Sequence, residues 1–109
     1  QEENEVDYRS KNDGVMHACG HDAHTAMLLG TARVLMDRRD QFAGTVKVLF
    51  QPSEEAGEGG AIGMIREGVL EDPHVDACFG LHVSSRLPTG KISVATGPLN
   101  ARRQTASVS

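Results

Sequence analysis

The chain has 109 residues, a formal net charge of −4 and 39% hydrophobic residues. That suits one small globular unit and excludes an obviously disordered polypeptide. No segment concentrates Lys and Arg, and the Arg102-Arg103 pair in the tail is too short to count, so the sequence argues against a nucleic-acid partner.

With three Phe, one Tyr and no Trp, the core is expected to be aliphatic. Only Cys19 and Cys78 carry thiols, fewer than a secreted disulfide framework uses, which points to a reducing, cytoplasmic setting. The polar, acidic opening Gln1-Glu2-Glu3-Asn4-Glu5 is unlike a secretory signal, and no apolar run approaches membrane-spanning length. The chain does not begin with Met, so a piece of a longer polypeptide is expected.

Residues 1–14 read as a polar, solvated loop with a short strand around Val6-Tyr8, closed by the turn Lys11-Asn12-Asp13-Gly14. A helix is expected from Asp22 to about Asp37, with Asp22 able to cap it and Leu28, Ala32 and Leu35 spaced to face a core. The β-branched run Thr45–Phe50 reads as a strand ended by Pro52. The glycine-rich Gly57-Glu58-Gly59-Gly60 leads into a second helix over roughly 60–67, with Ile62, Ile65 and Val69 on one side and Gly68 ending it. Val75–Val83 reads as a buried strand carrying Cys78 and His82. Pro88-Thr89-Gly90 turns into a last strand over Lys91–Ala95. Strand and helix alternate, so the expected class is α/β, a sheet with helices packed on it.

The chemistry gathers in His17-Ala18-Cys19-Gly20-His21-Asp22-Ala23-His24, which holds three imidazoles, a thiol and a carboxylate within eight residues. Thiolates and neutral imidazoles are ligands for borderline metals. Gly20 lets the backbone turn between Cys19 and His21, so both can reach one ion. Alone, this string reads first as a histidine-rich surface loop. The pair Glu54-Glu55 just past one expected strand, and His82 at the end of another, shift the balance towards a metal site. In α/β sheets, functional groups collect at the carboxyl ends of strands. A nucleophilic Cys19 with His21 or His24 as its base is the rival, but a thiol enzyme has no use for the Glu54-Glu55 pair.

The other polar residues have plainer readings. His17 and His24 either hydrogen-bond to the ligands or are simply packed or solvated, and Asp22 serves equally as a cap or as such a support. Cys78 reads as a buried small hydrophobe, and Glu58 and His74 as solvated.

Three strings, Gly14-Val15-Met16-His17-Ala18-Cys19-Gly20-His21-Asp22-Ala23-His24, Phe50-Gln51-Pro52-Ser53-Glu54-Glu55 and Phe79-Gly80-Leu81-His82, carry a family resemblance. They resemble those of the metal-dependent amidohydrolases that include hippurate hydrolases, N-acyl-amino-acid deacylases and auxin-conjugate hydrolases, within the aminoacylase-type metallopeptidases. The likeness runs from residue 1 to about Asn100. It implies a zinc-peptidase-like catalytic domain with a mixed sheet flanked by helices, residues 1–98 forming part of it. It also implies two divalent metal ions, manganese or zinc, with cobalt and nickel also suited. Cys19 would bridge them, His21, Glu55 and His82 would be further ligands, and Glu54 would be the general base. The implied reaction is hydrolysis of the amide bond of an N-acyl or N-aroyl amino acid, a small-molecule substrate, by metal-activated water.

Family members are several times longer, add a smaller dimerisation domain that makes the whole enzyme a homo-oligomer, and carry a further ligand His near their C-terminus. Neither feature has a counterpart here, and residues 99–109 diverge where the inserted domain would begin. The expectation is therefore an incomplete catalytic domain, inactive alone, from a truncated gene. A metal-binding module without catalysis is the alternative.

Overall fold

A computed structural model describes residues 1–55 and 59–97. The expectations for Glu58 and for the divergent tail 99–109 lie outside the described residues.

Two helices form, α1 over His21–Asp37 and α2 over Gly60–Arg66. The first is made of good helix formers, including Ala23, Ala26, Met27, Leu28 and Leu29. It starts one residue before the expected Asp22. Its cap is Gly20 at φ +79°, with no capping side chain. Asp22 sits instead in the first turn, where a carboxylate suits the positive end of the helix. Arg33 pairs with Asp37 one turn later at 3.1 Å. His21, His24, Leu28, Ala32 and Leu35 are half-buried and lie along one stripe of the helix. The expected inward residues of α1 are thus the shielded ones, and two imidazoles continue their line.

The second helix ends as the sequence indicates. The Gly68 N–H donates to Ile65 O at 2.9 Å and the Val69 N–H to Met64 O at 3.0 Å, the pair of bonds of a Schellman ending. Its inward side differs from the expectation. Ala61 and Met64 are half-buried, whereas Ile62 and Ile65 stay 44% and 53% exposed.

The α/β expectation is overturned. Among the described residues there is no strand: 6–8 is part of a turn, and 45–50, 75–83 and 91–95 form no ladder. The zinc-peptidase-like mixed sheet is therefore not formed. A strand exists only when its N–H and C=O groups pair with a neighbour's, and these runs find no such neighbour. Their β-forming side chains stay largely open, with Phe79 at 99% and Val94 at 89% exposure. Runs 45–49 and 73–79 face Leu28, Ala32 and Leu35 of α1 across a hollow of about 560 Å³. Cys78 lines that hollow and is exposed, not buried as expected. No described side chain is fully buried.

Polar ties hold the segments in place. Lys47 Nζ donates to the carbonyls of Val69 at 2.7 Å and Asp72 at 3.0 Å, fastening the 45–50 run to the loop after α2. The Gly14 N–H donates to Gln1 Oε1 at 2.9 Å, and the Ser10 N–H to Glu2 Oε2 at 2.6 Å.

The Ser10 amide and the Asn4 side chain hold the Glu2 carboxyl below its ordinary value. A carboxyl lowered in the folded state adds its stabilisation above its unfolded value and loses it as pH falls through the lowered one. The Ser10 amide shift is therefore expected to titrate in acid below the ordinary carboxylate range, and Glu2→Gln to abolish that titration. Hydrogen exchange is expected to be near the unprotected rate at 45–50, 76–82 and 92–95, and slower through the middle of α1.

Candidate metal centre

The centre lies at the amino end of α1. Cys19 precedes the helix and His21 opens it, with Gly20 between them. Gly20 needs to be glycine on two counts. Its φ of +79° disfavours a side chain, and a Cβ there would stand 2.5 Å from Val83 Cγ2. The chain near Val83 therefore packs directly on the helix start.

That packing delivers His82. Its Nε2 lies 3.4 Å from Cys19 Sγ, across 63 residues of sequence. Its Nδ1 is 2.6 Å from the Val83 carbonyl oxygen. A carbonyl only accepts, so Nδ1 carries the proton and Nε2 is left bare beside the thiol. His24 is fixed in the same way. The Val83 N–H donates to its Nε2 at 3.1 Å, so that lone pair is occupied. The rings of His24 and His82 meet edge to face with centroids 4.3 Å apart.

The two glutamates reach the centre from the other side. Ser53 sits before them at φ +50°, a left-handed backbone that costs an L-residue about 1–2 kcal/mol. Beyond the loop, Gly60 packs on the Pro52 carbonyl so closely that any Cβ would overlap it. His21 Nε2 stands 3.7 Å from an oxygen of each carboxylate, Glu54 and Glu55. What separates the pair is the thiol. Interaction with Glu55 is the largest cause of a Cys19 thiol pKa raised above the ordinary value, ahead of desolvation and the charges of Glu55 and Glu54.

Donor atoms of Cys19, His21 and His82 lie within 4.8 Å of one another, as do those of His21, Glu54 and Glu55. His21 belongs to both clusters. The donor set fits a metal: ligands at 2.0–2.3 Å from a tetrahedral ion are roughly 3.5 Å apart, close to the 3.4 and 3.7 Å seen here. Lone pairs converge with few protons among them, an arrangement that a cation completes.

The structure thus brings together Cys19, His21, Glu54, Glu55 and His82. Asp22 is exposed on the first turn and makes no capping bond. Its charge acts on His24, raising a pKa that desolvation, His82 and His21 together hold below the ordinary value. Among the described residues, no hydrogen bond, ion pair or ring contact reaches the exposed His17. His74 is exposed, 3.9 Å from Asp76. Val83 was not legible as a site residue, because its contribution is largely a backbone N–H and C=O that any residue type carries.

This donor set could hold a metal ion, with a pair of carboxylates beside it. The sequence model of peptidase family M20/M25/M40 matches residues 1–108, and the chain belongs to that family. It is 50% identical over 101 residues to an N-acyl-L-amino acid amidohydrolase of Geobacillus stearothermophilus, covering 93% of this chain and 27% of that protein. To IAA-amino acid hydrolase ILR1-like 4 of Arabidopsis thaliana it is 50% identical over 101 residues, 93% of this chain and 22% of the relative. To thermostable carboxypeptidase 2 of Saccharolobus solfataricus it is 47% identical over 102 residues, 93% and 25% respectively. The chain spans about a quarter of the length of these relatives. No solved structure matches it. Among the described residues no helix is long and apolar enough to cross a membrane.

His21→Ala removes a donor from both clusters and is expected to weaken cobalt(II) binding by about a hundredfold or more, beyond the loss of a mere outer partner. His17→Ala is expected to leave it unchanged. Titrations followed by the visible cobalt spectrum check both.

Proposed function

We propose that the chain is part of the catalytic domain of a hydrolase that cuts the amide bond of N-acyl or N-aroyl amino acids, with two divalent ions as cofactors. Manganese or zinc suits the mixed sulfur, nitrogen and oxygen donors, as do cobalt and nickel. In this reading Cys19, His21, Glu55 and His82 would hold the ions, and Glu54 would be the base. Ions bound there polarise the amide carbonyl and acidify water.

The placement of the residues supports these roles. Glu55 acts on the Cys19 thiol more strongly than Glu54 does, which favours Glu55 as the ligand and Glu54 as the base. Glu54 takes the proton of the attacking water and returns it to the nitrogen of the departing amine. His82, with its proton on Nδ1, offers a bare Nε2 to the centre. The observation that carries the reading is that His21 is shared between a Cys–His–His cluster and a paired-carboxylate cluster. Relatives named as an amidohydrolase, an amino acid hydrolase and a carboxypeptidase support the substrate class. Two free cysteines support a cytoplasmic setting, and a homo-oligomer is proposed for the whole enzyme.

A metal-binding module without turnover is the second reading. The openness of the Glu54 and Glu55 side chains, 58% and 63% exposed, favours it for this chain alone, since catalysis benefits from excluding water.

In the natural polypeptide, Glu54→Gln is expected to lower hydrolysis of N-acetyl amino acids by about 10²–10⁴-fold, the usual worth of a general base, with metal content unchanged. Undiminished turnover would remove Glu54 from the role. Metal uptake with no hydrolysis by the unsubstituted natural polypeptide would establish the second reading.

A further inference from the structure

We propose that His24 is a positioning residue that sets the tautomer and place of His82 through the backbone of Val83. The proposal rests on the reading that His82 is a metal ligand, and it assigns His24 a role distinct from ligation.

Three parts of Val83 engage the centre at once. Its N–H donates to His24 Nε2 at 3.1 Å. Its carbonyl accepts the Nδ1–H of His82 at 2.6 Å. Its side chain fills the space beside Gly20, where a Cβ would be 2.5 Å from Cγ2. One residue thus links the first turn of α1 to the His82 ring. A bond from His24 that orients the N–H of Val83 orients the residue whose C=O receives the His82 proton. His82 is then left with Nε2 bare and aimed at Cys19 Sγ, 3.4 Å away.

The same bond disqualifies His24 as a ligand. Its Nε2 lone pair is already used, so in the neutral ring the proton is on Nδ1. Its ring lies 5.4 Å from His21 and 4.3 Å from His82 by centroid, close enough to pack against both. Its donor atoms nevertheless fall outside both clusters of converging ligands. Outer partners that orient a ligating imidazole typically change metal affinity by about 10–100-fold when removed.

Two substitutions separate acceptor from ring. Gln places its amide oxygen about where Nε2 stands, whereas Leu fills similar space without an acceptor. In the metal-free 109-residue chain, long-range nitrogen–proton NMR is expected to show bare Nε2 on both His24 and His82. His24→Gln is expected to keep the His82 tautomer, and His24→Leu to give a mixture, with the helical shifts of α1 retained. Protonated Nε2 on His24 in the unsubstituted chain would overturn the proposal without any variant having to fold. An identical His82 tautomer in all three proteins would do the same.

Cobalt(II) titration supplies the second readout. His24→Leu is expected to lose about 10–100-fold in affinity and His24→Gln to stay within about threefold. Equal losses in both variants would overturn the proposal, because the imidazole itself would then be the donor. Unchanged binding in His24→Leu would overturn it as well. If the unsubstituted chain takes up no cobalt while the tautomers shift as expected, the metal reading fails and the positioning of His82 stands.

Discussion

The organisation of this molecule depends on the joint at Val83. Cys19 and His21 are near neighbours in sequence, and the turn at Gly20 sets them side by side. His82 is separated from Cys19 by 63 residues and stands beside it where the backbone of Val83 is gripped by the start of α1. The grip combines one backbone hydrogen bond with the close approach allowed by Gly20. Neither contact is strong. A single hydrogen bond contributes a net of about 0.5–1.5 kcal/mol, and this one is partly open to water. The site is assembled by a tie that is weak by itself, so a cation shared by the converging donors would strengthen the joint it depends on.

The helix that forms one wall of the centre does two jobs with one face. Leu28, Ala32 and Leu35 are turned towards the runs 45–49 and 73–79, and His21 and His24 extend the same stripe to the amino end. Any force that seats the apolar half therefore sets the angle of the imidazoles. The hollow of about 560 Å³ beneath that stripe, with no fully buried side chain around it, leaves the seating incomplete. Protein interiors do not normally keep such a space open, because its walls forgo dispersion contacts. Polar fastenings such as Lys47 to Val69 and Asp72 carry a correspondingly larger share of the arrangement.

Electrostatics at the centre are those of a site short of positive charge. The thiol of Cys19 faces carboxylates that resist its ionisation, and the His24 ring sits among other imidazoles that resist its protonation. Desolvation is the largest cause at His24, ahead of the neighbouring imidazoles, and at Cys19 it adds to the effect of Glu55. In the proposed reading this crowding has a use, because a metal ion would relieve the first problem and draw on neutral imidazoles for the second.

Local chemistry was readable from the residues themselves. The span of α1, its inward residues Leu28, Ala32 and Leu35, the glycine ending of α2 and the turns at 12–15 and 88–91 all follow from propensity, periodicity and turn composition. The donor residues Cys19, His21, Glu54, Glu55 and His82 were likewise evident, since their side-chain types carry their chemistry wherever they stand. Strands were misread because a β-branched run reveals a preference for extended backbone, whereas a ladder needs a partner that propensity does not supply. Ile62 and Ile65 were misplaced for a related reason: a helix pattern marks which residues could be buried, and only neighbouring segments decide which are. The residue types were determined by the sequence. The sharing of His21 between two clusters and the Val83 joint were decided in three dimensions, because each depends on groups far apart in sequence, and the tautomer of His82 was decided there too, by the backbone conformation that turns its ring to the Val83 carbonyl.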